Sequence, residues 1–358
     1  MHIFATRWPA ALLLPLSVPY LAATWLRNRL FDAGVLRQRR LPCRVIAVGN
    51  LTVGGTGKTP MVEFLCRTLQ QQGERVCVVS RGYKRKQGSL VVVSDGQHLL
   101  VEPEACGDEP FMLANKLPGV PVIVDRDRVR GGGVAIERFG AQVIVLDDAF
   151  QHRRLHSDAS VVLVDSQRGF GNGWLLPAGP LRDLPSRLRE ATVLVLTRVQ
   201  QAQNLAPLVA YLRAYSQAPI FTARHRPVEV CTGEGSVHAL NSLRGKRVAA
   251  FCGIAQPDSF FTMLEELGAI LVHRKAYPDH HSYSARDVAA LCRQGQLSAA
   301  ECLVTTEKDL VRVHGQDFSL PLWCLRITMH VDHARRLLEV ITPPGRSGAA
   351  DSCCEKIT

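Results

Sequence analysis

Residues 44–60, RVIAVGNLTVGGTGKTP, constrain this chain most, because an apolar strand runs directly into a glycine-rich turn that ends in Gly57-Lys58-Thr59. Gly54, Gly55 and Gly57 reach backbone angles closed to other residues, so successive N–H groups can converge on an anion where a helix begins. The helix itself is legible: Val62, Leu65, Cys66 and Leu69 share one face, and Pro60 is tolerated in the first turn. Thr52, Val53, Gly54, Gly55, Thr56, Gly57, Lys58 and Thr59 form the expected nucleotide cradle, with Lys58 reaching the β/γ-phosphates and the Thr59 hydroxyl facing magnesium. The usual pattern places a glycine five positions before Gly57, where this chain has Thr52. A glycine-rich turn with no ligand is the plainer reading of such a stretch, and the flanking strand, helix and Lys-Thr pair argue against it.

Apolar β-type runs at 44–48, 76–80, 89–94, 120–124, 143–147, 160–164 and 192–197 alternate with helix-like segments. The fold class expected is α/β, a P-loop NTPase-type parallel sheet with helices on both faces. A helix-like stretch at 205–215 leads into a segment near 218–245 that reads as a connector. A second alternating set then runs through 247–254, 257–267, 270–279, 285–293 and 302–309, predicting a second, smaller α/β domain. The expected organisation is an N-terminal anchor over 1–30, a P-loop domain over 31–220, a second domain with its linker over 221–342, and a disordered tail over 343–358. A chain of 358 residues is long enough for two such cores. Eleven scattered cysteines, several inside apolar strands, read as reduced thiols, and the adjacent Cys353 and Cys354 fall in the tail.

Residues 9–26, PAALLLPLSVPYLAATWL, carry no charge and precede Arg27, Arg29, Arg37, Arg39, Arg40 and Arg44. Eighteen helical residues span about 27 Å, barely a bilayer core, and Pro15 and Pro19 would kink the helix. A shallow anchor is therefore as plausible as a full span, with the arginines beside anionic headgroups on the cytoplasmic side. A cleaved signal peptide fits less well, since an exported protein would lack ATP for its phosphate loop. The formal charge of +11 favours anionic partners without choosing among them.

VIVLDDAFQH (143–152) ends an apolar strand in Asp147 and Asp148, where an open α/β sheet places the partner of a phosphate site and a carboxylate for magnesium. Asp108 and Glu109 form a second acidic pair, suited to a general base and a further metal ligand, though on pattern alone an N-capping Asp108 is the stronger reading. Asp279-His280-His281 likewise reads either as a capped turn or as the source of a histidine acting on a base. RGYKRK (81–86) and DRDRVRGG (125–132) follow apolar strands and offer arginines to phosphates, or are plain basic loops.

In this order GNLTVGGTGKTP, SRGYKRK, GDEPFMLA, DRDRVRGG, LDDAFQHRRL, LLPAGPLRD and YPDHHSYS resemble the tetraacyldisaccharide 4′-kinase family, the lipid A kinases, from the N-terminal anchor to about residue 330. The one departure is Ala149, where that family usually has glycine. The resemblance implies ATP-dependent phosphorylation of the 4′-hydroxyl of tetraacyldisaccharide 1-phosphate, with magnesium, at the cytoplasmic face of the inner membrane. It implies Asp108 as base with His280 as its partner, and Lys58 stabilising the transferring charge. Thr59, Glu109, Asp147 and Asp148 are implied on magnesium, and Tyr83, Arg81, Arg128, Gln151 and His152 near the acceptor sugar or phosphates. The enzyme is expected as a monomer that meets a membrane lipid substrate among anionic inner-membrane lipids. No nucleic-acid partner is expected, since the arginines are not interleaved with aromatic residues. The rival reading is a membrane-tethered nucleotide switch, which requires Lys58 and not Asp108.

Overall fold

The computed structural model describes residues 11–82, 89–202, 204–232 and 235–342. Tyr83, the first ten residues and the tail with Cys353 and Cys354 lie outside the described residues. The chain divides into two compact units, one of residues 1–106, 113–224 and 329–358, the other of 107–112 and 225–328.

The first unit is built on strands β1 (Arg44–Gly49), β2 (Val76–Ser80), β3 (Val91–Ser94), β4 (Val122–Val124), β5 (Val143–Leu146), β6 (Ala159–Asp165), β7 (Val193–Thr197) and the start of β8 (Ile220–Thr232). Their spatial order is β8-β7-β6-β1-β5-β2-β4-β3, and every pair is parallel except β3 with β4. Consecutive residues of β1, β2, β5 and β7 are buried, which happens only when both sheet faces are covered. The helix Lys58–Gln71 follows β1, and its Val62, Leu65, Cys66 and Leu69 are buried as the periodicity predicted, with Met61 buried as well. Asp127 caps the helix Arg128–Phe139 by accepting from Val129 N and Arg130 N, and Gly140 ends it in the left-handed region.

The second unit carries β9 (Arg247–Cys252), β10 (Ile270–Ala276), β11 (Cys302–Thr306) and most of β12 (Leu322–Val331), parallel in the order β10-β9-β11-β12. Two apolar clusters form its core, one around Phe260, Phe261 and Leu264, the other around Phe251, Leu291 and Leu303. The segment expected as a connector holds the thirteen-residue β8, whose burial largely alternates. IFTARHRPVEVC hides that strand from sequence because Arg224, His225, Arg226 and Pro227 interrupt its β-formers.

The helix Leu14–Asp32 is polar where it meets the unit and apolar where it does not. Ser17, Thr24 and Asn28 are buried. Ser17 Oγ donates to Leu175 O at 3.0 Å, Tyr20 Oη to Arg182 O at 2.8 Å and Asn28 Nδ2 to the fully buried Asp183 at 2.8 Å. Leu16, Val18, Leu21, Trp25 and Leu26 are exposed. Among the described residues no helix is long and apolar enough to cross a membrane.

Candidate active site

The phosphate loop takes the backbone its glycines allow. Gly54 and Gly57 have φ of 103° and 89°, and Gly57 opens the helix Lys58–Gln71 without any side-chain cap, so the first helical N–H groups face outward for an anion. Two neighbouring segments brace this loop. Val53 N donates to Pro180 O at 2.8 Å and Arg182 N to Leu51 O at 2.7 Å, which ties the loop to LLPAGPLRD. On the other side Arg198 Nη2 donates to Gly55 O at 2.7 Å and Thr197 Oγ1 to Thr56 O at 3.0 Å, while Arg198 also pairs with buried Asp165.

Lys58 Nζ stands 3.3 Å from Asn50 Oδ1 and 3.7 Å from Asp148 Oδ1. Asp148 sits in the left-handed region at φ 49°, in the turn after β5. Arg182 grips both its oxygens, at 2.9 and 2.7 Å, and also reaches Asn50 O at 3.1 Å. Burial pushes the Asp148 carboxyl up, but the Arg182 hydrogen bond and the charges of Lys58, Arg182 and Arg128 outweigh it and hold the group at about 2. Gln151 Nε2 donates to Asn50 O at 2.5 Å, so a single asparagine gathers Lys58, Gln151 and Arg182.

Asp147 is buried, and Ser80 Oγ donates to its Oδ2 at 3.0 Å. Arg128 is also buried and turns inward, donating to Asp125 O at 2.9 Å and Asp147 O at 3.4 Å. It therefore supports the acidic turn from below. Burial drops its guanidinium to about 10 against the pull of Asp147. His152 is pushed down to about 4 by burial first and by the Arg128 charge second. Arg81 is exposed at the end of β2.

The second unit brings together the other acidic pair. Asp108 and Glu109 form the first turn of the helix Asp108–Lys116, so Asp108 lies inside the helix instead of capping it. Asp108 Oδ2 accepts from Arg312 Nε at 2.7 Å and lies 3.8 Å from His280 Nδ1. Burial raises its carboxyl, and the facing His280 ring together with the Arg312 guanidinium overcome this and hold it at about 2. Glu109 Oε1 accepts from Lys308 Nζ at 3.1 Å, and the same nitrogen is 3.3 Å from His280 Nε2 and 3.8 Å from Asp279. His280 has φ of 63°, and its N–H donates to Gly253 O at 3.2 Å. His281 turns elsewhere, stacking on Tyr277 at 4.5 Å and meeting Asp287 at 3.3 Å. Of the two histidines it is His280 that the fold hands to Asp108.

The oxygens that the first unit offers beside its phosphate loop, on Thr59, Asp147 and Asp148, suit a hard divalent cation. Among the described residues no cluster of three or more His, Cys, Asp or Glu is gathered as a metal cage. Sequence reasoning missed Asn50, Arg182, Arg198, Lys308 and Arg312. Arg182 stands within LLPAGPLRD and Lys308 within the apolar-to-polar run 302–309, where neither differs from other basic residues of the chain.

The family described as LpxK, tetraacyldisaccharide-1-P 4′-kinase, matches residues 9–343. The tetraacyldisaccharide 4′-kinase of Syntrophus aciditrophicus is 44% identical over 344 residues, covering 91% of this chain and 90% of that protein. That of Geobacter metallireducens is 42% identical over 306 residues, covering 85% of this chain and 88% of its own. The crystal structure of "apo" form LpxK from Aquifex aeolicus in complex with ATP superposes with a TM-score of 0.77 at 32% identity, covering 93% of this chain and 98% of that one.

Proposed function

The chain belongs to the tetraacyldisaccharide-1-P 4′-kinase family, and from that premise we propose how its residues divide the reaction. The protein is a kinase of lipid A biosynthesis that transfers a phosphoryl group from ATP to the 4′-hydroxyl of tetraacyldisaccharide 1-phosphate. The observation that carries the assignment of roles is the convergence of Lys58 and Arg182 on Asp148, beside a helix start with no side-chain cap.

The nucleotide phosphates rest on the N–H groups of 54–59, and Lys58 meets the charge that grows on the transferring group. Arg182 keeps Asp148 ionised and aimed while adding a second cation for that charge. Thr59, Asp147, Asp148 and Glu109 are the oxygens we assign to magnesium, which when bound neutralises phosphate charge. Asp108 accepts the proton of the 4′-hydroxyl, with His280 beside it. A carboxylate held near 2 is a weak base, and this suits a loose phosphoryl transfer, in which orienting the hydroxyl matters more than early proton removal. Gln151, His152, Arg81 and Tyr83 are assigned to the acceptor sugar and its phosphate, and Arg128 to support of the turn that presents Asp148.

An acceptor with four acyl chains stays in a bilayer, so the enzyme must work at its surface. The helix Leu14–Asp32 supports a monotopic placement at the cytoplasmic face of the inner membrane. Its polar side is spent on Leu175, Arg182 and Asp183, and its apolar side, with Trp25 at 51% exposure, is left for lipid. Arg29, Arg37, Arg39 and Arg40 add attraction to anionic headgroups.

The test is transfer of labelled γ-phosphate from ATP to tetraacyldisaccharide 1-phosphate in detergent micelles, by wild type, Lys58→Ala and Asp108→Ala. Loss of lipid labelling in both variants is expected. Retained labelling in Asp108→Ala would remove the base from this scheme.

A further inference from the structure

Arg312 ends the helix Glu307–Arg312, and the division of labour above leaves it without a task. Its side chain is 5% exposed and all three nitrogens are engaged. Nε donates to Asp108 Oδ2 at 2.7 Å, Nη2 faces His280 Nδ1 at 3.0 Å, and Nη1 donates to Gly253 O at 2.9 Å and Asp309 Oδ1 at 3.0 Å. The anchor behind it is firm. Asp309 is fully buried, accepting from Gly253 N at 3.0 Å and from Thr306 Oγ1 at 2.7 Å.

This geometry links the base to its histidine through the arginine. His280 Nδ1 is 3.8 Å from Asp108 Oδ2, whereas the guanidinium stands within 3.0 Å of each. A guanidinium only donates, so a planar fork between them fixes the carboxylate by Oδ2. An arginine buried for stability alone would need no histidine on one arm and a reactive carboxylate on another.

We propose that Arg312 is the positioning residue of the base: its guanidinium bridges Asp108 and His280, anchors Oδ2 and presents Oδ1 to the 4′-hydroxyl. This rests on the reading of Asp108 as base. Arg312 makes no covalent step and carries no proton in the reaction.

The experiment measures kcat and KM for tetraacyldisaccharide 1-phosphate and for ATP, with thermal unfolding, in wild type, Asp108→Asn, Arg312→Ala, Arg312→Lys and Asp108→Asn/Arg312→Ala. Arg312→Ala should lose about 100-fold in kcat with both KM values within about threefold, the pattern of an interaction realised in the transition state. Free guanidinium should recover part of that loss. Lysine has one charged nitrogen and cannot bridge two groups, so Arg312→Lys should fold normally yet stay about tenfold slow. The double variant should be no slower than Asp108→Asn, since a residue that acts only through the base loses its effect with it. An Arg312→Lys enzyme with full kcat, or a loss in Arg312→Ala that guanidinium does not recover at all, overturns the proposal while the base stands. Normal turnover by Asp108→Asn overturns the base reading, and the proposal with it.

Discussion

Replacing Gly49 by alanine tests how the phosphate loop is tied to the acidic turn. Gly49 ends β1, and a Cβ there would lie 2.6 Å from Phe150 Cβ and 2.7 Å from Phe150 N. Carbon contacts settle at about 3.5–4.0 Å, so the two segments must part by about 1 Å. No rotamer change relieves this, because one of the clashing atoms is backbone and Ala149 N already donates to Val48 O at 2.9 Å. Overpacking costs about 1–3 kcal/mol, and a backbone clash belongs at the upper end. At about 2–4 °C per kcal/mol for a unit of this size, Gly49→Ala should melt roughly 6–12 °C lower. Gly133 is the control. A Cβ on it meets nothing within 4 Å, and it lies inside the helix Arg128–Phe139, where alanine gains about 0.5–1 kcal/mol. Gly133→Ala should therefore melt slightly higher. Because the displaced turn carries Asp148, which Lys58 and Arg182 hold, Gly49→Ala should also lose at least about tenfold in ATP affinity by calorimetric titration, a cost of roughly 1.4 kcal/mol. A Gly49→Ala protein that melts with wild type and binds ATP equally well would refute the argument.

Arg182→Ala removes a two-pronged, charge-assisted grip on a carboxylate that is 34% exposed; discounted for that exposure the loss is about 2 kcal/mol, and kcat should fall at least about 30-fold in the labelled-phosphate assay. In a sedimentation assay with anionic vesicles, Leu21→Glu with Trp25→Glu should cut binding by more than about tenfold, because each side chain withdrawn from lipid forfeits about 1.5–3 kcal/mol, and equal binding would remove the helix from the membrane account. His152 gives a pH dependence. Its folded value of about 4 lies below the ordinary 6.5, so the unfolded chain binds more protons between these values and stability falls as pH drops from about 6.5 to 4. After discounting for partial exposure the loss is about 2 kcal/mol, absent above pH 6.5 and absent in His152→Gln, as urea unfolding at stepped pH would show.

What the sequence discloses and what it hides follow from range. The phosphate loop is legible because its strand, glycines, lysine and helix are contiguous, so local backbone chemistry alone dictates the outcome. The strands buried on both faces are legible for the same reason, as unbroken apolar runs such as VIAV and VIVL. β8 is not, because Arg224, His225, Arg226 and Pro227 break its run of β-formers and pairing with distant strands such as β7 makes it a strand. The charged side chains that organise the site obey a different rule. Asp148 meets Arg182 across 34 residues, and Asp108 meets Arg312 across 204, at spacings that no periodicity encodes. In a chain with 43 Lys and Arg, each of these arginines looks locally like any other basic residue. What separates them is burial, since a cation is taken from water only where carboxylates and carbonyls repay its desolvation. Arg182 and Arg312 both meet that condition against a carboxylate depressed to about 2, one in the unit that holds the phosphate loop and one in the unit that holds Asp108. The chemistry of phosphoryl transfer explains the parallel. In the proposed division of roles, donor and acceptor each need a carboxylate that stays ionised in a partly buried place, and a guanidinium fork delivers that charge balance together with a fixed orientation.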